Sequence, residues 1–170
     1  MFVLFRAVVF ATLFAGFVLV FVPARILSAA GIDAPAEFGL WQAAGMLVGG
    51  AGTALAIWCV LTFAFVGKGT PAIFDPPRRL VVSGPYRFVR NPMYIGAGGA
   101  ITGAALYYKS IGLFGYVALL YGVTTLLVLT YEEPTLRRTF GDDYVAYCAR
   151  VGRWWPRRGA RRATIPRFIR

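Results

Sequence analysis

The sequence predicts an all-α integral membrane protein of about four transmembrane helices, with a C-terminal helical hairpin, a cytoplasmic loop and a basic cytoplasmic tail helix. Three observations carry this. Hydrophobic residues make up 58% of the chain and mean hydropathy is +0.64, against the roughly 45–50% apolar content of soluble domains. The apolar residues fall in long runs broken by short polar loops, which suits lipid rather than water as the solvent. Of the 18 Lys and Arg residues, all but Arg25 and Lys109 fall on what four crossings make one side. A chain of 170 residues has room for one domain, 1–170, with spans at about 7–22, 40–66, 92–108 and 111–131 and a cytoplasmic tail over 132–170.

The first run extends from Ala7 to Val22 and is expected to end at Pro23. Its flank, Ile26 to Ala30, closes on small residues as a cleavable signal would. The n-region holds only Arg6, however, and three more spans follow, so a retained helix is expected. Residues 31–39 are a polar connection. The second run, Leu40 to Val66, is about 40 Å long at ~1.5 Å per residue, more than the ~30 Å hydrocarbon layer, and must tilt or project. Gly45, Gly49, Gly50 and Gly52 give it a small-residue face for close helix contact.

The central loop, 67–91, holds Pro71, Pro76, Pro77 and Pro85 and cannot be one helix. Pro92 then occupies a favoured first helical position. The third run is short, roughly 25 Å. Gly96, Ala100 and Ala104 recur along it at four-residue spacing, as do Gly99 and Gly103. Lys109-Ser110 allows only a tight reversal into the fourth run. The last two helices therefore form an antiparallel hairpin, which brings Asn91-Pro92-Met93-Tyr94 to the same membrane face as Glu132-Glu133. Beyond it, 135–151 reads as an amphipathic surface helix interrupted near Gly141. Trp154, Trp155 and Pro156 follow as interfacial anchors, and then an arginine-rich, lipid-touching extension.

Net charge is +11, which could suggest nucleic acid, but the charges flank apolar runs. Ten arginines lie beyond the last span, and Lys68, Arg78, Arg79, Arg87 and Arg90 share the central loop. That is the positive-inside pattern, and it puts both termini in the cytoplasm, with membrane lipid rather than nucleic acid as the partner. No organelle-targeting signal is seen, which points to a bacterial inner membrane. The two cysteines, Cys59 and Cys148, lack partners at metal-ligand spacing, and no disulfide between them is expected. The chain contains no histidine. Ser-His-Asp and Cys-His catalysis and histidine metal sites are thereby excluded, and no metal is expected.

Glu132-Glu133 stands out because two adjacent acids at the C-terminal end of a membrane helix oppose both the helix dipole and each other. Such a pair suits a cationic or hydroxyl-rich ligand. S-adenosylmethionine, with a sulfonium, an ammonium and a ribose diol, fits this description. The second constellation is Gly84-Pro85-Tyr86-Arg87 with Arg90-Asn91-Pro92-Met93-Tyr94. It offers a turn, a helix N-terminus and two arginines able to clamp an anionic group.

Taken together, GKGTPAIFDPPRRLVVSGPYRFVRNPMYIG, YEEP and FGDDYVAYCARVGRWWP resemble the membrane methyltransferase superfamily that includes isoprenylcysteine carboxyl methyltransferase and phosphatidylethanolamine N-methyltransferase. Asn91 stands where many relatives have histidine, and Asn-Pro-Met-Tyr is similar to the phospholipid N-methyltransferases. The resemblance implies S-adenosylmethionine bound between the last two spans and the tail. Its contacts would be Asn91, Tyr94, Glu132 and Glu133, with Tyr86 and Pro92 beside them, and Gly50 and Gly52 as a glycine pair in the preceding span. Arg87, Arg90 and Glu133 are the expected catalytic groups.

The expected function is therefore S-adenosylmethionine-dependent methyl transfer at the cytoplasmic membrane face to a membrane-partitioned acceptor, either a prenylcysteine-type carboxylate or a phospholipid amine. Methyl transfer from a sulfonium needs alignment and exclusion of water, not a metal or a covalent intermediate. The alternatives are a small membrane transporter and a non-catalytic membrane partner subunit. Transporters place acids inside their spans, and all 7 acids here lie outside them.

Overall fold

A computed structural model describes residues 12–13, 15–63, 65 and 80–157. Lys68, Arg78, Arg79, the start of the first span and the arginine-rich extension lie outside the described residues. Those described are helical, with no strand among them beyond one isolated bridge. A π-helical turn, Gly16–Phe21, leads into α1, Val22–Ala29. Then come α2, Leu40–Thr62, a 3₁₀ turn at Gly84–Arg87, and α3, Pro92–Tyr107. Next is α4, Ile111–Leu127, and a second π-helical turn, Val128–Glu132, runs into α5, Glu133–Arg150. Two stretches are long and apolar enough to cross a membrane. One is α2, and the other is the helical stretch from Ile111 to Arg150, which α4 begins.

The first helix does not stop at Pro23 as expected but continues to Ala29. A proline inside a helix lacks an N–H and collides with the carbonyl four residues back. The wider turn at Gly16–Phe21 immediately precedes Pro23, so the irregularity falls where the regular ladder cannot form. The helix rests on α4, where Tyr116 donates its hydroxyl to the Val18 carbonyl at 3.0 Å.

Glycine decides the packing of α2 on α3. A Cβ on Gly52 would stand 2.5 Å from the Ala100 nitrogen, and one on Gly45 2.6 Å from the Gly103 carbonyl oxygen. On α3, Gly96 meets the Ala56 nitrogen at 2.7 Å by the same construction. Backbone therefore lies on backbone along this seam. Dispersion contacts at this range hold helices together where lipid supplies no hydrophobic drive. Gly98 faces the opposite way, against the Tyr121 ring of α4. The third helix is small on several sides because it lies between two neighbours.

The hairpin between α3 and α4 closes as expected. Lys109 takes a left-handed conformation, φ 50°, and Ser110 caps α4 by accepting from the Leu113 nitrogen at 3.3 Å. At the same end, Gln42 is buried. Its amide donates to the Tyr107 carbonyl at 3.1 Å and accepts from the Gly39 nitrogen, joining the start of α2 to the end of α3. At the other end, Val82, Tyr144, Tyr147 and Val151 form a small core where α5 folds back over the loop preceding α3. The break in α5 falls at Gly141, φ 52° and ψ −127°, a conformation that glycine adopts readily. Both cysteines are free thiols.

Candidate active site

The site assembles where a short strap after α5 returns to the start of α3. Val89 and Gly152 pair as a parallel bridge, and the Arg90 nitrogen donates to the Gly152 carbonyl at 2.9 Å. The Asn91 backbone nitrogen and its Nδ2 both donate to the Arg153 carbonyl, each at 3.3 Å. Asn91 is 5% exposed, so these bonds satisfy donors that burial would otherwise leave costly. Tyr147 ties the helix before the strap to the 3₁₀ turn, its hydroxyl donating to the Tyr86 carbonyl at 2.7 Å. Gly152 is required locally, since a Cβ there would collide with the Trp155 carbonyl. Pro92 is fully buried at the first position of α3.

Glu132 and Glu133 follow the apolar segment and end up in different environments. Neighbours on a helix point about 100° apart, at 3.6 residues per turn. Glu132 turns to α3, where the Tyr94 hydroxyl donates to its Oε2 at 3.3 Å. Glu133 turns to the strap. Arg153 grips it with both arms of its guanidinium, Nε to Oε1 at 2.7 Å and Nη2 to Oε2 at 2.9 Å, the fork geometry of a strong charge-assisted pair. Arg90 adds a second cation, Nη1 to Oε1 at 3.1 Å. The same nitrogen also lies 2.6 Å from the Cys148 sulfur.

The two carboxyls are accordingly driven apart. Desolvation raises Glu132 above the ordinary carboxylate range, and the hydrogen bond from Tyr94 offsets this only in part while the Glu133 charge adds to it. Burial alone would also raise Glu133. The hydrogen bond from Arg153 and the charges of Arg90, Arg153 and Arg137 outweigh it, and Glu133 lies below the ordinary value. Glu133 is a neutralised acid built into the protein. Glu132 has no cation against it among the described residues.

The remaining expected site residues divide. Asn91, Pro92, Tyr94, Arg90, Glu132 and Glu133 come together. Tyr86 is buried one layer behind, packed edge-on to Phe63 with ring centroids 5.2 Å apart and beside Cys59. Arg87 is exposed and lies over the ring of its neighbour Phe88, 4.7 Å from the centroid. Gly50 faces outward with nothing within 4 Å of its side-chain position, whereas Gly52 is filled by α3. A cavity of about 360 Å³ lies at the far end of the hairpin, beside Asp33, Glu37, Gln42 and Lys109, away from the paired acids. Sequence reasoning missed Arg153, Cys148, Tyr121 and Trp154. Arg153 could have been found, since two adjacent acids at an apolar boundary require a cation and VGRWWP supplies one at a turn.

Apolar helices with a carboxylate–tyrosine cluster at their polar end define a membrane protein. The family model for phospholipid methyltransferases matches residues 40–143, well over half of the chain. The chain belongs to that family, a family of membrane methyltransferases. No curated protein and no solved structure matches it.

Proposed function

We propose that the protein is an S-adenosylmethionine-dependent methyltransferase, with its site at the cytoplasmic face and an amine-bearing phospholipid as its acceptor. The observation that carries this is the asymmetry of the two acids, Glu133 held between two guanidinium groups and Glu132 desolvated without a cation. The residues fit the cofactor. A carboxylate of this kind suits an ammonium or a ribose diol, and Tyr94 orients it from α3. When bound, the cofactor supplies a methyl group already activated on a sulfonium.

The protein's own part is alignment. Glu132 and Tyr94 hold the cationic donor at the polar end of α3 and α4. Glu133, Arg90 and Arg153 fix the strap on the start of α3, a positioning role rather than the catalytic one expected of Arg90 and Glu133. Asn91 acts likewise through the strap carbonyl. The acceptor follows from charge. A carboxylate acceptor would be drawn to a cation, and of the arginines flanking the start of α3 and the strap, Arg90 and Arg153 are paired with Glu133 and Arg87 is turned outward. An ammonium headgroup is attracted by Glu132 instead; it must lose a proton before its nitrogen can accept a methyl group, and Glu132, its pKa raised by burial, is placed to take that proton. The family match favours phospholipid in the same way.

The test is calorimetric titration of detergent-purified protein with S-adenosylhomocysteine, alongside Glu132→Gln and Glu132→Asp. Saturable binding that Glu132→Gln loses supports the reading. No binding by a wild-type protein that melts cooperatively would overturn it and leave the partner-subunit alternative.

A further inference from the structure

Three aromatic side chains, of which the sequence placed only Tyr94 at the site, meet around Trp154 from different elements. Tyr94 stands on the first turn of α3, Tyr121 in the middle of α4, and Trp154 on the strap. The Tyr94 and Trp154 ring centroids lie 6.4 Å apart with the planes inclined by 57°, and those of Tyr121 and Trp154 lie 6.1 Å apart at 78°. None of these pairs is stacked. In an edge-to-face pair the ring that presents its edge keeps both of its own faces clear of its neighbour, and the face of an aromatic ring carries the negative part of its quadrupole. The arrangement is enforced by the fold. Tyr121 reaches its place because Gly98 has no side chain, a Cβ there standing 2.6 Å from the Tyr121 hydroxyl. Trp154 is set by the strap, which is anchored by the Arg153 ion pair just before it and by the tight approach of Gly152 to the Trp155 carbonyl. Tyr94 is bonded directly to Glu132.

We infer that Tyr94, Tyr121 and Trp154 form an aromatic box that, with Glu132 as its counter-charge, holds an alkylated onium group. The inference rests on the methyltransferase reading and deepens it by assigning residues to the cation itself. A sulfonium or a methylated ammonium is bulky and weakly hydrated, with its charge spread over its alkyl groups. Aromatic faces bind such a cation well, whereas a bare carboxylate alone would favour a compact, strongly hydrated ammonium. Two ligands of a methyl transfer share this chemistry, the donor sulfonium and the lipid headgroup ammonium.

The experiment separates the two sources. Trp154→Leu, Tyr121→Leu and the conservative Trp154→Phe and Tyr121→Phe are titrated calorimetrically with S-adenosylmethionine, with S-adenosylhomocysteine, and with short-chain phosphatidylcholine as a quaternary ammonium probe. If the box holds the sulfonium, each leucine variant loses roughly tenfold in affinity for S-adenosylmethionine, keeps its affinity for S-adenosylhomocysteine, whose sulfur is uncharged, and is restored by phenylalanine. If it holds the headgroup, the same discrimination shows in phosphatidylcholine binding instead. Equal weakening of both nucleosides, or unchanged binding of all three probes, overturns the box while leaving the methyltransferase reading standing. A folded wild-type protein that binds neither nucleoside overturns that reading, and the box with it.

Discussion

Glu132 and Glu133 are adjacent in sequence and opposite in behaviour, and the difference has consequences that pH can expose. Glu133 has a folded pKa below its unfolded value. Its contribution is present above the ordinary carboxylate range and is lost as pH falls through the depressed value. For Glu132 the sign reverses. Its folded value is raised, so the protonated form is the one the fold favours, and stability is lost as pH rises through that raised value. Glu132→Gln cannot ionise and escapes this loss. Thermal melts of the detergent-solubilised protein are expected to place Glu132→Gln above wild type at pH 8, with the difference gone near pH 4. A variant less stable than wild type at pH 8 would mean that Glu132 is compensated by a charge. Ligand affinity should move the other way and rise with pH as Glu132 ionises. Arg153→Met removes the bidentate partner of Glu133. Arg153 is 33% exposed at its side chain, and solvent screening discounts the pair, so a loss of about 1–2 kcal/mol is expected by chemical denaturation.

At the scale of elements, the sequence gives away helices more readily than their faces. The hairpin was legible because Lys109-Ser110 leaves no room for anything but a reversal, and the break at Gly141 because glycine interrupts a polar helix. The juxtaposition of the Asn91 segment with the paired acids follows from that hairpin alone. The strap was not legible, since its contacts with Val89, Arg90 and Asn91 join residues some 60 positions apart without a periodic signal. The glycines of α2 show the same limit. Four of them crowd into one stretch, yet Gly45 and Gly52 face α3 while Gly50 faces away. Composition supplies the glycines, and only packing tells which are used. Gly52→Ala must force backbone from backbone and is expected to cost roughly 1–3 kcal/mol as an overpacked seam. Gly50→Ala meets nothing and should be neutral or stabilising by up to about 1 kcal/mol through helix propensity. If Gly50 belonged to the cofactor site, its alanine variant would lose S-adenosylhomocysteine affinity with no change in melting temperature. The structure predicts unchanged affinity.

For the molecule as a whole, the physics of charge and of the site point to the same orientation in the bilayer. Among the described residues, Arg87, Arg90, Arg137, Arg138, Arg150, Arg153 and Arg157 cluster at the end that holds the paired acids, whereas Lys109 marks the far turn. Basic residues beside spans stay in the cytoplasm, because translocating them is costly and the inner leaflet is anionic. A nucleoside cofactor made in the cytoplasm could reach the Glu132 cluster only from that side. The proposed orientation, with both termini and the site cytoplasmic and the 31–39 loop and Lys109 outside, can be read by labelling. In a Cys59→Ala, Cys148→Ala background, a cysteine placed at Glu37 should react with a membrane-impermeant maleimide in intact spheroplasts. One placed at Asp142, exposed on α5, should react only after lysis. The reverse pattern would put the acids on the wrong face for the cofactor and overturn the proposed function together with the topology. Labelling of both positions in sealed cells would rule out a fixed single orientation and require that the charge asymmetry be weaker than the hydrophobic length of the helices.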